Sequence, residues 1–256
     1  MTRIAYNPLP WAITAHGYDP GAVPSVAELG RTLGSAGLHA IQADVPEGMS
    51  AADYLAELTA AGLAPAPGYF QAPFESTTAV EQARRFAADQ AELGLTEVFV
   101  ACTLNELRTA RPGEGAGPDA ERLSRIGEHI GVAARAMTAE GVRPCLHPHA
   151  GSWIETADEA DAVLAAVDPA VLLLGPDNGH LTWAGADPVA YVARHAERIG
   201  ALHIKDVHLN ALEESRRRGD DVMAARARTS GPSRGVATAT LRACWPRWAT
   251  SSRVGS

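Results

Sequence analysis

The sequence predicts an α/β fold, a (β/α)8 barrel, and three observations carry that prediction. Short apolar runs alternate with helical patterns from Ile4 onward, the signature of strand–helix units feeding a parallel sheet. Seven such runs recur at regular spacing up to Val207, one short of a closed eight-stranded barrel. The turn after the first run reads NPLPW, without GxGxxG, whereas an open doubly wound sheet usually places a glycine-rich phosphate turn there.

In chain order, strands are expected at residues 4–7, 39–44, 64–69, 97–102, 143–147, 171–176 and 201–207. Helices are expected at 26–36, 51–61, 78–93, 118–139, 157–166 and 188–198. Gly37, Gly62, Gly94, Gly141 and Gly200 stop five of these helices, since a glycine readily closes a helix C-terminus. The remaining one starts at a capping box, Thr156 with Glu159 three residues on. RPGEGAG at 111–117 reads as a mobile βα loop. No composition change divides residues 1–221, so they are expected to form a single barrel domain.

Composition narrows the function classes. Hydrophobic residues make up 46% of the 256 residues, enough for a core, and no apolar run is long enough to span a bilayer. The opening MTRIAYNPLPW lacks the basic start and apolar core of a signal peptide. Three cysteines, Cys102, Cys145 and Cys244, lie far apart without CxxC spacing, so a reducing, cytoplasmic setting is expected. The net charge of −8 argues against a nucleic-acid surface. Of 22 basic residues, the only lysine is Lys205. A compact ammonium used once, where arginine serves elsewhere, invites a chemical reading.

Barrel chemistry sits at the C-terminal ends of the strands, and the polar residues gather there. The first strand ends in Asn7, with Trp11 just beyond. The fifth ends in His147 and His149, the sixth in Asp177 and His180, and the seventh carries His203, Lys205 and Asp206. Period-two geometry puts His147 with His149, and His203 with Lys205, on one strand face. A lone strand-end histidine is usually just hydrogen-bonded, and an aspartate before Asn-Gly usually forms a turn. On three successive strand ends, however, His147, Asp177 and His203 can converge on one divalent cation.

The segments NPLPW, LHPHAGSWIET, DNGHLTWAGADP and HIKDV resemble the sugar phosphate isomerase/epimerase superfamily, whose fold is a xylose-isomerase-like TIM barrel. The resemblance is strongest to inosose (keto-inositol) dehydratases and covers residues 4–207. It implies a divalent metal, Mn²⁺ or Co²⁺ first, with Zn²⁺ or Mg²⁺ as alternatives, on His147, Asp177 and His203. Many members carry Glu at the position of His147, and often Glu at that of Gln42. The strand-eight Glu ligand has no counterpart. The resemblance further implies a small sugar or cyclitol substrate that reacts through an enediolate. Lys205 and His180 then take acid/base or oxyanion-stabilising roles. Asn7, Trp11 and His149 bind substrate, Trp11 as an apolar wall. No nucleic-acid or membrane partner is expected, and a homo-oligomer is compatible.

Two rivals remain. A DNA-repair endonuclease of the same fold would want a basic groove, which the acidic balance of residues 1–221 does not supply. A catalytically impaired or vestigial barrel would explain the missing ligand.

The tail, from residue 222, is atypical. Every acidic residue lies at or before Asp221, six arginines follow, and two of the five tryptophans fall within Cys244–Trp248. That bias is what a GC-rich gene yields when read out of frame. A shifted frame from Arg228 onward can encode a GxGD turn and an amphipathic helix. The tail at 222–256 is therefore expected to be frameshifted and irregular, and strand eight missing or disordered.

Overall fold

The computed structural model describes residues 4–14 and 17–229. The chain enters through α1 (Leu9–Ala12) and an antiparallel hairpin of β1 (Ile13–Thr14) and β2 (Gly17–Tyr18). Strand and helix then alternate: α2 (Val26–Ser35), β3 (Ala40–Gln42), α3 (Ala51–Ala60), β4 (Ala64–Ala66), β5 (Tyr69–Ala72), α4 (Val80–Glu92) and β6 (Glu97–Cys102). Next come α5 (Glu106–Ala110), α6 (Ala120–Ala139), β7 (Arg143–Leu146), α7 (Ala157–Ala166) and β8 (Leu173–Leu174). The last elements are α8 (Asn178–Trp183), α9 (Pro188–Arg194), α10 (Leu209–Arg218) and α11 (Val222–Thr229).

Pairing among the barrel strands follows sequence order and is parallel. Tyr6 bridges Ile41, β3 pairs with β4, and β5, β6, β7 and β8 form one run. Two bridges, Leu174 to Ile199 and Asp177 to His203, dock the seventh strand. This is the strand order of a TIM barrel. Alternation along the strands separates two cores. Val98, Val100, Leu146 and Leu174 pack outward with Ile126, Ile130 and Met137 of α6 and with Ala83 and Ala87 of α4. Phe99, Cys145, Leu173 and Ala201 form a separate inner cluster with Tyr69.

The expected third strand, 64–69, is two pieces. Pro67 has no N–H for a ladder, and Gly68 lies so close to its neighbours that a Cβ would sit 2.6 Å from Asp44 Oδ1. Gln90, fully buried on α4, fills the break. Its amide donates to Ala43 O at 2.7 Å, and its Oε1 accepts from Gly68 N at 2.9 Å. The seventh strand is also shorter than expected. Among the described residues it pairs on one side only, and its register slips by one residue between the two bridges. Gly200 is not a helix stop: a Cβ there would meet Cys145 Sγ at 2.6 Å.

The tail expectation needs correction at its start. Residues 222–229 are helical, with Val222 and Ala225 buried against Trp183 and Leu212. Residues 230–256, on which the missing strand and the shifted frame fall, lie outside the described residues.

The 111–117 loop is anchored rather than mobile. Glu155, with no solvent exposure, accepts from the backbone N–H of Gly113, Gly115 and Gly151 at 2.8, 2.9 and 2.8 Å. Arg108, only 2% exposed, completes the cage, donating to Glu155 at 2.9 Å and to Glu159 at 2.6 Å. Removing one member of such a network strands the others without water. Glu155→Ala is expected to cost about 3 kcal/mol or more, read as a fall in the urea midpoint at unchanged slope. A shift of a few tenths would show that the cage contributes little.

Candidate functional site

The sixth strand delivers the centre of the site. After Leu174 the chain turns at Gly175–Pro176, and Asp177 caps α8, its Oδ1 accepting from His180 N at 3.0 Å. The cap fixes Asp177 and His180 together, one turn apart. Asn178 ties the next strand in place: its Oδ1 accepts from Lys205 N at 2.7 Å and its Nδ2 donates to Lys205 O at 2.7 Å. Gly179 admits this approach, since a Cβ there would lie 2.9 Å from Lys205 Cβ. Sequence reading missed Asn178, whose partners come from another strand.

His147 sits just past β7, 1% exposed, with Nδ1 2.9 Å from Gly175 O. The carbonyl can only accept, so Nδ1 carries the proton and Nε2 keeps its lone pair, the tautomer that metal-binding histidines favour. His147, Asp177 and His180 are all buried and offer donor atoms within 4.8 Å of one another. His203 stands beside them, its Nδ1 3.8 Å from Asp177 Oδ2 and its ring 4.8 Å from that of His147. Of the expected ligands, then, His147 and Asp177 share a mutually close set with His180, and His203 flanks it. One imidazole, one carboxylate and a second imidazole suit a divalent ion of the zinc, cobalt or manganese type.

The other expected site residues divide. His149, 7% exposed, packs its ring 3.9 Å from that of His180 and belongs to the cluster. Lys205 reaches in from the mouth, 38% exposed, with Nζ 2.8 Å from Asp177 Oδ2 and 2.9 Å from His180 Nε2. The first of these contacts is an ion pair rather than a well-directed hydrogen bond. Asn7 instead joins Gln42 at 2.9 Å, and Gln42 joins Asp44 at 2.9 Å, a polar string along the first two strand ends. Trp11 leans on Tyr6 at 4.8 Å and packs with the core between α2 and α3. Asp44 was not anticipated: its Oδ1 accepts from Tyr69 N at 2.7 Å, and the Tyr69 ring lies 5.3 Å from that of His147.

Burial sets the charges. It pushes His147 down to about 4 and His203 down to about 3, beyond what the facing Asp177 carboxylate recovers. Burial would raise Asp177, but the Lys205 ammonium and the neighbouring imidazoles overcome it and hold the carboxyl well below its usual range. Near neutral pH His147 and His203 are therefore neutral and Asp177 is ionised.

Four similarities relate the chain to known proteins. The family model described as xylose isomerase-like TIM barrel matches residues 32–226. An inosose dehydratase of Geobacillus kaustophilus is 40% identical over 85 residues, covering 33% of this chain and 28% of that protein. The matched segment thus spans less than a third of that relative's length. The IOLI protein, crystallised with a bound zinc atom, superposes with a TM-score of 0.68 at 12% identity, over 99% of this chain and 87% of that one. A sugar phosphate isomerase/epimerase from Parabacteroides distasonis gives 0.59 at 17% identity, over 94% and 95%. At such identities the structural likeness speaks for the fold.

The depressed histidines make a pH prediction. In the unfolded chain they take up protons near their ordinary value of about 6.5, while in the folded metal-free protein they resist until about 4 and 3. The unfolded state then binds more protons as pH falls, so stability drops from about pH 6.5 downward. Asp177 acts in the same direction at lower pH, because its ionised form is the one the fold favours. Urea midpoints of metal-free protein should fall between pH 7 and 4, and His147→Gln should flatten that slope. An unchanged slope in the variant would remove His147 from the cause.

Proposed function

The chain belongs to the xylose isomerase-like TIM barrel family, and on that premise we propose that it is a metal-dependent enzyme acting on a keto-inositol or keto-sugar. The reaction is removal of a proton beside a carbonyl, leading to isomerisation, epimerisation or, as in an inosose dehydratase, loss of water. One observation carries this reading: the buried cluster at the strand ends in which imidazoles and a carboxylate bring donor atoms together. His147 and Asp177 hold the ion in this proposal, with His180 and His203 on either side as the further donors. A divalent ion there supplies Lewis-acid stabilisation of the negative charge that builds on the carbonyl oxygen.

The chain's own residues do the rest. Lys205 is half in the mouth and half in the cluster, placed to pass a proton or to donate a hydrogen bond to an oxyanion. His149 lines the wall beside His180, and the Asn7–Gln42–Asp44 string offers hydrogen bonds to substrate hydroxyls. The two buried free thiols, Cys102 and Cys145, suit the cytoplasmic setting that forms part of this proposal. A second reading, an impaired barrel, draws on the absence of a strand-eight carboxylate among the described residues. The two readings differ in metal content and turnover.

The test is metal analysis of purified protein, followed by hydrogen–deuterium exchange at the carbon beside the carbonyl in a panel of keto-inositols and ketoses. One ion per chain and exchange on a member of the panel are expected. Lys205→Ala should lower kcat about 10²–10⁴-fold with metal content intact. Absence of metal, or metal without exchange on any panel member, would favour the impaired barrel. Unchanged turnover in the variant would take Lys205 out of the chemistry.

A further inference from the structure

We propose that Lys205 is the site's internal counter-cation, and that a divalent ion enters by exchange, taking the place of the ammonium rather than joining it. The proposal rests on the reading of His147, Asp177 and His180 as metal donors and adds how that site is loaded.

The geometry is one of shared lone pairs. His180 Nε2 and Asp177 Oδ2 lie 4.0 Å apart, and Lys205 Nζ lies 2.9 Å from the first and 2.8 Å from the second. An ion bonded to both atoms at about 2.0–2.2 Å would lie nearly midway between them, too close to Nζ for the ammonium to stay. Two cations cannot share so small and buried a space, because their repulsion is little screened there. Asp177 explains why a cation is held at all. Its carboxylate has no solvent exposure, and a buried charge without a partner is costly. With Lys205 present, the metal-free barrel never carries that cost.

The ammonium also has somewhere to go. The Lys205 backbone is clamped by Asn178, while its side chain is 38% exposed at the mouth. Rotation of the stem alone can carry Nζ outward without moving the strand. Exchange would then free Asp177 and His180 for the ion and deliver the amine to the substrate side. The residue type fits this duty. A lysine is a compact charge on a flexible stem, whereas an arginine would fork across both acceptors and hold them. Among 22 basic residues the chain uses lysine only here.

Metal-free protein titrated with Co²⁺ tests this, with the visible absorption of the bound ion and the thermal midpoint as readouts. Lys205→Met removes the charge and keeps the length, and Lys205→Arg keeps the charge in a form that leaves less readily. Lys205→Met is expected to bind Co²⁺ about tenfold more tightly or better, a discounted figure because the lysine is partly exposed. Its metal-free midpoint should fall below that of the wild type, and Co²⁺ should raise it by more. Lys205→Arg should bind more weakly than wild type, which keeps the test open if Lys205→Met does not fold. Equal Co²⁺ affinity in all three proteins would leave the metal site standing and overturn the exchange. Absence of Co²⁺ binding in all three would overturn the metal-site reading and the exchange together.

Discussion

A carboxylate with no access to water must be neutralised by the protein around it, and much of the mouth can be traced to that demand at Asp177. One oxygen is spent on the first turn of α8, which fixes where His180 stands. The other faces the only lysine of the chain. Bringing that lysine close requires the seventh strand to dock against the sixth. The Asp177–His203 bridge, the Asn178 clamp and the bare backbone of Gly179 supply that docking. The histidines answer the opposite need. Burial keeps them uncharged, so that the cluster concentrates lone pairs instead of repelling the cation that Asp177 attracts.

How much of this was legible depended on whether a feature is written along the chain or between elements. Strand ends carrying Asp177, His180, His203 and Lys205 stand out because polar residues interrupt apolar runs, and the period of two says which of them share a face. The helix stops at Gly37, Gly62, Gly94 and Gly141, all at positive φ, and the Thr156–Glu159 box are equally local. Gly200 has the same appearance in sequence but exists for space beside Cys145. Trp11 stands out as an aromatic just beyond the first strand, while its ring neighbour Tyr6 does not.

Features that need a distant partner were invisible. Gln90 reads as an ordinary polar helix residue until the split in the third strand gives it two backbone groups to satisfy. Glu155 looks like part of a helix start, and only the fold brings Gly113, Gly115 and Arg108 around it. The seventh strand is shorter than its sequence pattern for a related reason. Its apolar pattern predicts a full strand, but a strand that pairs on one side only among the described residues keeps just the bridges that this neighbour offers.

The split at Pro67–Gly68 has a geometric consequence beyond its hydrogen bonds. Side chains on a strand alternate like beats, and β4 and β5 are out of phase with one another. Ala64 and Ala66 pair beside Ala40 and Gln42, and an unbroken count would next bring residue 68 to that face; Tyr69 arrives instead, beside Phe99 and His147. The two intervening residues therefore act as a half-step in the rhythm. Replacing either one disturbs a local fit. Were both to run on as regular strand, Tyr69 would turn toward the helices and Phe70 would face the histidines in its place; losing one would instead leave Ala66 and Tyr69 on one face by ordinary alternation.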